Sequence, residues 1–181
     1  ARDFQGKIDD FGPLEKDQKK AIRKNLKVMC RESQMGVAAA QLALVDARLS
    51  QGDLDPERTG ISFGSDLMLA PAEDFTQGIL HCLDQNNQFQ FSRWATQGMA
   101  QMEPLWLLKY LPNMPACHIG IAINARGPNN SLVLGDVSGP AALIESRSCI
   151  ERGIADVMMT GSTGTRINTT RMVYRNDLPV A

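Results

Sequence analysis

The residues with the most chemical promise stand at a sharp corner, Asp136-Val137-Ser138-Gly139, which follows an apolar strand and opens a helix. Many α/β enzymes place a nucleophile at such a corner, because the helix N-terminus favours developing negative charge. Here the corner carries a carboxylate. The other candidates are sparse. Cys30, Cys82, Cys117 and Cys149 show no CxxC spacing, so neither a disulfide framework nor a zinc site is expected and reduced thiols are the default. Only two histidines occur, His81 and His118, which limits general-base chemistry. No metal and no cofactor are expected.

Several elements must position that corner. Ser131-Leu132-Val133-Leu134 reads as a compact apolar strand leading into it. Pro140 to Arg152 reads as the helix behind it, with proline in the first turn and Gly153 just past the end. Ala155 to Gly161 is a second apolar strand, so strand, helix and strand form a βαβ unit and imply a parallel sheet covered on both faces. Upstream, Thr59 to Gly64 reads as a short strand. Asn113 to Ala125 reads as a helix capped by Asn113 and stopped by Arg126-Gly127-Pro128. Pro104 to Leu111 reads as a short buried helix. Ser33 to Leu49 gives the clearest helix, with Met35, Ala38, Ala39, Leu42, Val45 and Leu49 on one apolar stripe. Residues 66–104 suggest helical pieces and long loops, and residues 1–15 an extended arm or loop.

Bulk properties bound the rest. The chain has 181 residues, 43% apolar and 22% charged, with a net charge of −1. Those values suit one ordered domain with a substantial core. They argue against the global basic field that non-specific nucleic-acid binding needs. No apolar run approaches a membrane span, and the opening residues hold no apolar signal core. A cytoplasmic protein is expected. One local basic stretch stands out, Lys16 to Arg31, and reads as a solvated helical face or a docking patch for an acidic partner.

Six motifs in order then resemble one family. They are Asp55-Pro56-Glu57-Arg58-Thr59-Gly60 before a strand ending Gly64-Ser65; Asn113-Met114; Ala125 to Asn129; the corner; Arg152-Gly153 with Ala155-Asp156-Val157-Met158 and Gly161; and Arg175-Asn176-Asp177 with Pro179. Together they resemble the N-terminal half of a β-ketoacyl-acyl carrier protein synthase, the elongating condensing enzyme of the thiolase-like α/β fold (layered αβαβα). The resemblance implies that residues 1–181 form an N-terminal ketosynthase-like domain. The family's leading strand and C-terminal half, with two histidines and a lysine that assist the reaction, would fall outside it.

The resemblance also assigns roles. The family's acyl-accepting cysteine falls at position 136, where this chain has Asp136. A thiolate is both a strong nucleophile and a good leaving group; a carboxylate held at a helix N-terminus is a poor nucleophile. Condensation by this chain alone is therefore not expected. Asp136 could cap the helix together with Ser138, mark a silent subunit, or favour decarboxylation alone. Leu67 matches the acyl-pocket gate, although Asp66 replaces a usual glycine beside it. Met114 is a second substrate-binding candidate. Lys24 and Lys27 match a patch that faces the acidic acyl carrier protein. Residues Asn130 to Leu134 match the strand that pairs across the family's dimer axis, which predicts a homodimer, or a heterodimer with an active ketosynthase.

The function implied is that of a ketosynthase-family protein of fatty-acid or polyketide biosynthesis that lacks condensing activity of its own. The alternatives are a non-catalytic, chain-length-factor-like partner subunit and a malonyl-carrier-protein decarboxylase.

Overall fold

Thr59–Ser65 forms strand β1, and all seven of its residues are buried. A strand hidden on both faces needs cover on both, and the chain supplies helices for each. In this computed structural model, which describes residues 4–174, the order is α1 (Lys16–Asn25), α2 (Arg31–Asp46), β1, α3 (Thr76–His81), α4 (Met114–Ile123), β2 (Asn129–Leu132), α5 (Ser138–Glu151), β3 (Val157–Thr163) and α6 (Thr169–Tyr174). Short 3-10 turns join them.

The three strands form one parallel sheet in the order β2-β1-β3. The expected strand-helix-strand unit is present as β2, α5 and β3, and its crossover passes over β1 rather than joining adjacent strands. Ile61 and Phe63 face α4 and α2: a Cβ on Gly120 would stand 3.7 Å from Ile61, and one on Gly36 would stand 3.2 Å from the Phe63 ring. The opposite face carries Gly64 and lies against α5. Phe11, Val37, Ile61, Phe63, Ile119 and Ile123 belong to the core cluster.

Contacts divide the chain into two compact units. One takes the chain up to Met68 and resumes at Leu108–Thr165; it holds the sheet. The other takes Leu69–Leu107 and the chain from Arg166. Within the second, Phe75 packs edge-on against Trp106, with ring centroids 5.3 Å apart, and also meets Trp94. Between Leu69 and Leu107 its backbone comprises α3, 3-10 turns and a π turn at Trp94–Gly98, the helical pieces and loops that the sequence suggested, and α6 follows Arg166.

Five expectations need correction. The α2 stripe is the wrong face: Leu42 is 47% exposed and Val45 44% exposed. The helix buries Ser33, Gly36, Val37, Ala40, Gln41 and Leu44, with Ala38 shared between the two readings, and ends at Asp46, before Leu49. Gly36 decides this, because only a small residue lets the helix press on Phe63. Pro104 to Leu111 is not a buried helix. Trp106–Tyr110 is a 3-10 turn with no buried residue, and Leu105 and Leu107 are mostly exposed. The first residues are not merely an arm or loop either, since Ile8–Phe11 forms a 3-10 turn that buries Phe11 completely. The strand leading into the corner is Asn129–Leu132, shifted two residues toward the N-terminus from the apolar run. The last apolar strand shifts the other way, to Val157–Thr163.

Candidate functional site

The C-terminal ends of the strands meet in a knot of hydroxyls and carbonyls. Ser65 Oγ, at the end of β1, donates to the Pro112 carbonyl at 2.6 Å, and Ser131 Oγ of β2 donates to the same oxygen at 3.1 Å. Ser138 opens α5 and is 2% exposed. Its Oγ accepts the Leu134 N–H at 2.8 Å and lies 2.9 Å from the Ser65 carbonyl and 2.8 Å from that of Gly135. One hydroxyl thus fastens the end of β1 to both sides of the corner.

The backbone explains why the corner is so tight. Gly135 turns the chain with φ of +61°, a conformation that suits glycine. Gly135–Val137 is a 3-10 turn that runs into α5. At Gly64 a Cβ would stand 2.5 Å from the Ser138 backbone carbon, so the strand and the helix start meet backbone to backbone. The corner is a sharp strand-to-helix elbow, with Asp136 exposed on it.

Asp136 does not occupy the N-cap position of α5. The N-cap position falls on Val137, which makes no side-chain cap bond, and Asp136 stands one residue ahead of it. Ser138, the residue after Val137, makes the side-chain hydrogen bonds described above. Sequence reasoning noted Ser138 beside Asp136 but missed Ser65, Ser131 and the Pro112 carbonyl. Serines ending strands signal little until a fold brings them together.

The other candidates sort around this knot. Leu67 lies two residues past Ser65, is 53% exposed, and donates its N–H to Asp66 Oδ1 at 2.7 Å. Met114 is half-buried at the first position of α4, two residues past Pro112. Asn113 occupies the predicted cap position, but its side chain does not cap the helix. Lys24 and Lys27 are exposed, on the last turn of α1 and the 3-10 turn after it. They do not belong to the knot. Arg175-Asn176-Asp177 and Pro179 lie outside the described residues.

All four cysteines are free. Cys30 Sγ lies 3.4 Å from Ser33 Oγ and 3.5 Å from Met68 Sδ, and burial pushes its thiol up to about 11. A thiol so placed stays protonated and unreactive. His118 is 3% exposed. Burial lowers its pKa, and the backbone of Val28 opposes that only in part, so the ring is neutral near pH 7. Among the described residues, no group of three or more His, Cys, Asp or Glu is placed to hold a metal. No helix among them is long and apolar enough to cross a membrane.

Comparison with known proteins gives this elbow its context. The model of the β-ketoacyl synthase N-terminal domain matches residues 2–176. The chain belongs to the β-ketoacyl synthase family. Among curated ketosynthase relatives, it is 30% identical over 167 residues to the actinorhodin polyketide putative β-ketoacyl synthase 1 of Streptomyces coelicolor, covering 91% of this chain and 32% of that protein. It is 27% identical over 158 residues to the 3-oxoacyl-[acyl-carrier-protein] synthase 2 of Staphylococcus aureus strain N315, covering 87% of this chain and 34% of that one. The chain therefore spans about a third of the length of these relatives.

Solved ketosynthases share the fold. One is from a type II polyketide synthase acyl-carrier protein in complex with its ketosynthase bound to the hexaketide, with TM-score 0.69, 19% identity, and 97% of this chain and 43% of that one covered. Another is the ishigamide ketosynthase/chain length factor, with TM-score 0.65, 19% identity, and 94% and 47% covered. The fold is thiolase-like, and this chain covers the N-terminal part of a ketosynthase.

Proposed function

We propose that residues 1–181 are the N-terminal domain of a ketosynthase-family protein of fatty-acid or polyketide synthesis that does not itself condense. One observation carries this reading: the elbow is fully built, and its exposed outer residue is Asp136. A carboxylate at the positive end of a helix is stabilised as an anion and lacks the nucleophilicity of a thiolate. An acyl anhydride formed there would hydrolyse readily. The test is transfer of an acyl group from acyl-carrier protein, read by intact mass in the full-length protein. The wild type should stay unmodified while Asp136→Cys gains a stable thioester. Acylation of the wild type, or β-ketoacyl product from it, would overturn the reading.

A second reading is that the protein serves as a silent, chain-length-factor-like partner of an active ketosynthase. What favours it is the open side of β2. That strand is a sheet edge, and Val133, Leu134, Val137, Leu143 and Ile144, which follow it in the corner and α5, are each 42–70% exposed. Apolar surface of that kind calls for a partner. Residues Asn130 to Leu134 are the proposed seam, with a second copy or with an active ketosynthase. Lys24 and Lys27 are proposed to meet acyl carrier protein, whose acidic surface would complement them. Recovery of the native protein as a homodimer without a second ketosynthase would remove the silent-partner reading. Decarboxylation of malonyl-carrier protein has no support among the residues of this elbow beyond Asp136 itself.

A further inference from the structure

The sheet face that carries Gly64 lies directly against α5. A Cβ at Gly64 meets Ser138, and a Cβ at Gly139 would stand 2.7 Å from Ser162 Oγ. Side chains alternate along a strand, so Ser62 and Thr160, each two positions back, point to this same face. The register pairs them directly, Ser62 beside Thr160. From above, α5 turns its buried stripe, Ser138, Ala142, Ser146 and Cys149, toward them.

Three hydroxyls in this interface, Ser62 Oγ, Ser146 Oγ and Thr160 Oγ1, are buried and have no hydrogen-bond partner among the described residues. Ser62 is 0% exposed and Ser146 3%. Burying a hydroxyl without a partner is costly, and three in one interface call for a common explanation. Their levels agree. Ser146 lies about 12 Å along α5 from Ser138, and Ser62 lies about 10 Å back along β1 from Ser65. Helix side chains lean toward the N-terminus, which brings Ser146 back toward Ser62. Ala142, one turn nearer the elbow, adds only a methyl group.

We propose that the interface between the sheet and α5 is a built site for an internal water, held by Ser62 Oγ, Ser146 Oγ and Thr160 Oγ1. Two hydrogen bonds through one water span about 5 Å between oxygens, and three partners is the usual number for a buried water. Each hydroxyl can donate or accept, so one water satisfies all three. The site ties α5, the helix behind the elbow, to both β1 and β3 at once. It stands independently of what Asp136 does.

Thr160→Val gives the sharpest test, because it keeps the shape and removes only the hydroxyl. An orphaned Oγ1 would make this variant more stable. A water ligand makes it less stable, with Tm falling by about 2–4 °C. Ser62→Ala should fall likewise, and the Ser62→Ala, Ser146→Ala, Thr160→Val triple variant should lose less than the sum of the single losses. A crystal structure of the wild-type protein at high resolution provides the second measurement: density between the three oxygens supports the site. A rise in Tm for Thr160→Val, or hydroxyls found bonded to α5 carbonyls with no density between them, overturns it.

Discussion

Strands β1 and β2 lie side by side in one parallel sheet, yet they meet opposite surroundings. Every residue of β1 is buried, with Phe63 pressed between Gly36 and Gly161 on one face and Gly64 touching α5 on the other. In β2, Asn129 and Asn130 are exposed, Ser131 and Leu132 are half-buried, and the outer edge has no strand beside it among the described residues. Both strands contribute to the knot, β1 through Ser65 and β2 through Ser131. The difference teaches where each kind of change will be felt. In β1 it should fall on the fold and the shape of the elbow; along β2 and its exit it should fall on the proposed seam.

The largest expected effect follows from Gly64. Alanine there would push a methyl group to 2.5 Å from the Ser138 backbone, which neither element can yield without moving the elbow. We expect Gly64→Ala to cost more than about 3 kcal/mol and to reduce soluble yield, read by chemical denaturation. An unchanged denaturation midpoint would mean that strand and helix do not approach so closely, and the comparison with β2 would lose its basis. Phe63→Ala should cost about 3–5 kcal/mol, since its ring is 4% exposed and packs on glycines that cannot close the cavity.

Charges on the exit of β2 should act differently. Val133→Lys and Leu134→Lys place ammonium groups where the side chains are already 42% and 55% exposed. Stability of the isolated fold should change by no more than about 0.5 kcal/mol, while self-association or pairing with another ketosynthase should be lost in sedimentation velocity. If both variants assemble like the wild type, the seam lies elsewhere.

That contrast also marks what the sequence could reveal. The Gly-Pro turn, the corner glycines and the near-continuous apolar strands lie in local pattern, so the sheet, α4, α5 and the elbow were all legible. The face of α2 was not. Its apolar residues run around the helix, and the choice between two stripes rests on Gly36 meeting Phe63, a contact with β1 that no periodicity encodes. At the site, Asp136 drew attention because the family resemblance sets a cysteine at its position. Ser65, Ser131 and Ser138 were not readable as a network, because Ser65 and Ser131 meet at the Pro112 carbonyl on a distant segment and Ser138 joins them only through the Ser65 carbonyl.

His118 tests the covered side of the sheet at lower amplitude. Its pKa is lowered, chiefly by burial. The unfolded chain therefore takes up a proton at higher pH than the folded one. Stability should be flat above the ordinary histidine value of about 6.5 and should decline below it, until the folded ring also protonates. Replacing the ring with an apolar one, His118→Phe, should flatten that acid-side decline in melts recorded from pH 7 to pH 5. An undiminished slope would assign the loss to carboxylates instead.

The smallest effect separates the two neighbours of β1. Where β1 and β3 begin, Arg58 grips Asp156 through two nitrogens, with Nε to Oδ2 at 3.0 Å, and also holds the Gly153 carbonyl at 2.8 Å. Where the chain enters β2, Arg126 reaches Glu57 only at 3.5 Å, between side chains that are 61% and 69% exposed. A forked, multiply bonded guanidinium holds its geometry; a single long contact in solvent contributes little. The hydrogen bond from Arg58 holds the Asp156 carboxyl below the usual carboxylate range. Its contribution is thus full above the unfolded carboxylate value and fades as pH falls through the lowered folded one. Arg58→Met should lower Tm near neutral pH by a small amount that disappears in acid, and Arg126→Met should change it less at either pH. Equal shifts from the two variants would mean that β2 is fastened to β1 as firmly as β3 is, and the division between a strand for folding and a strand for assembly would fail there first.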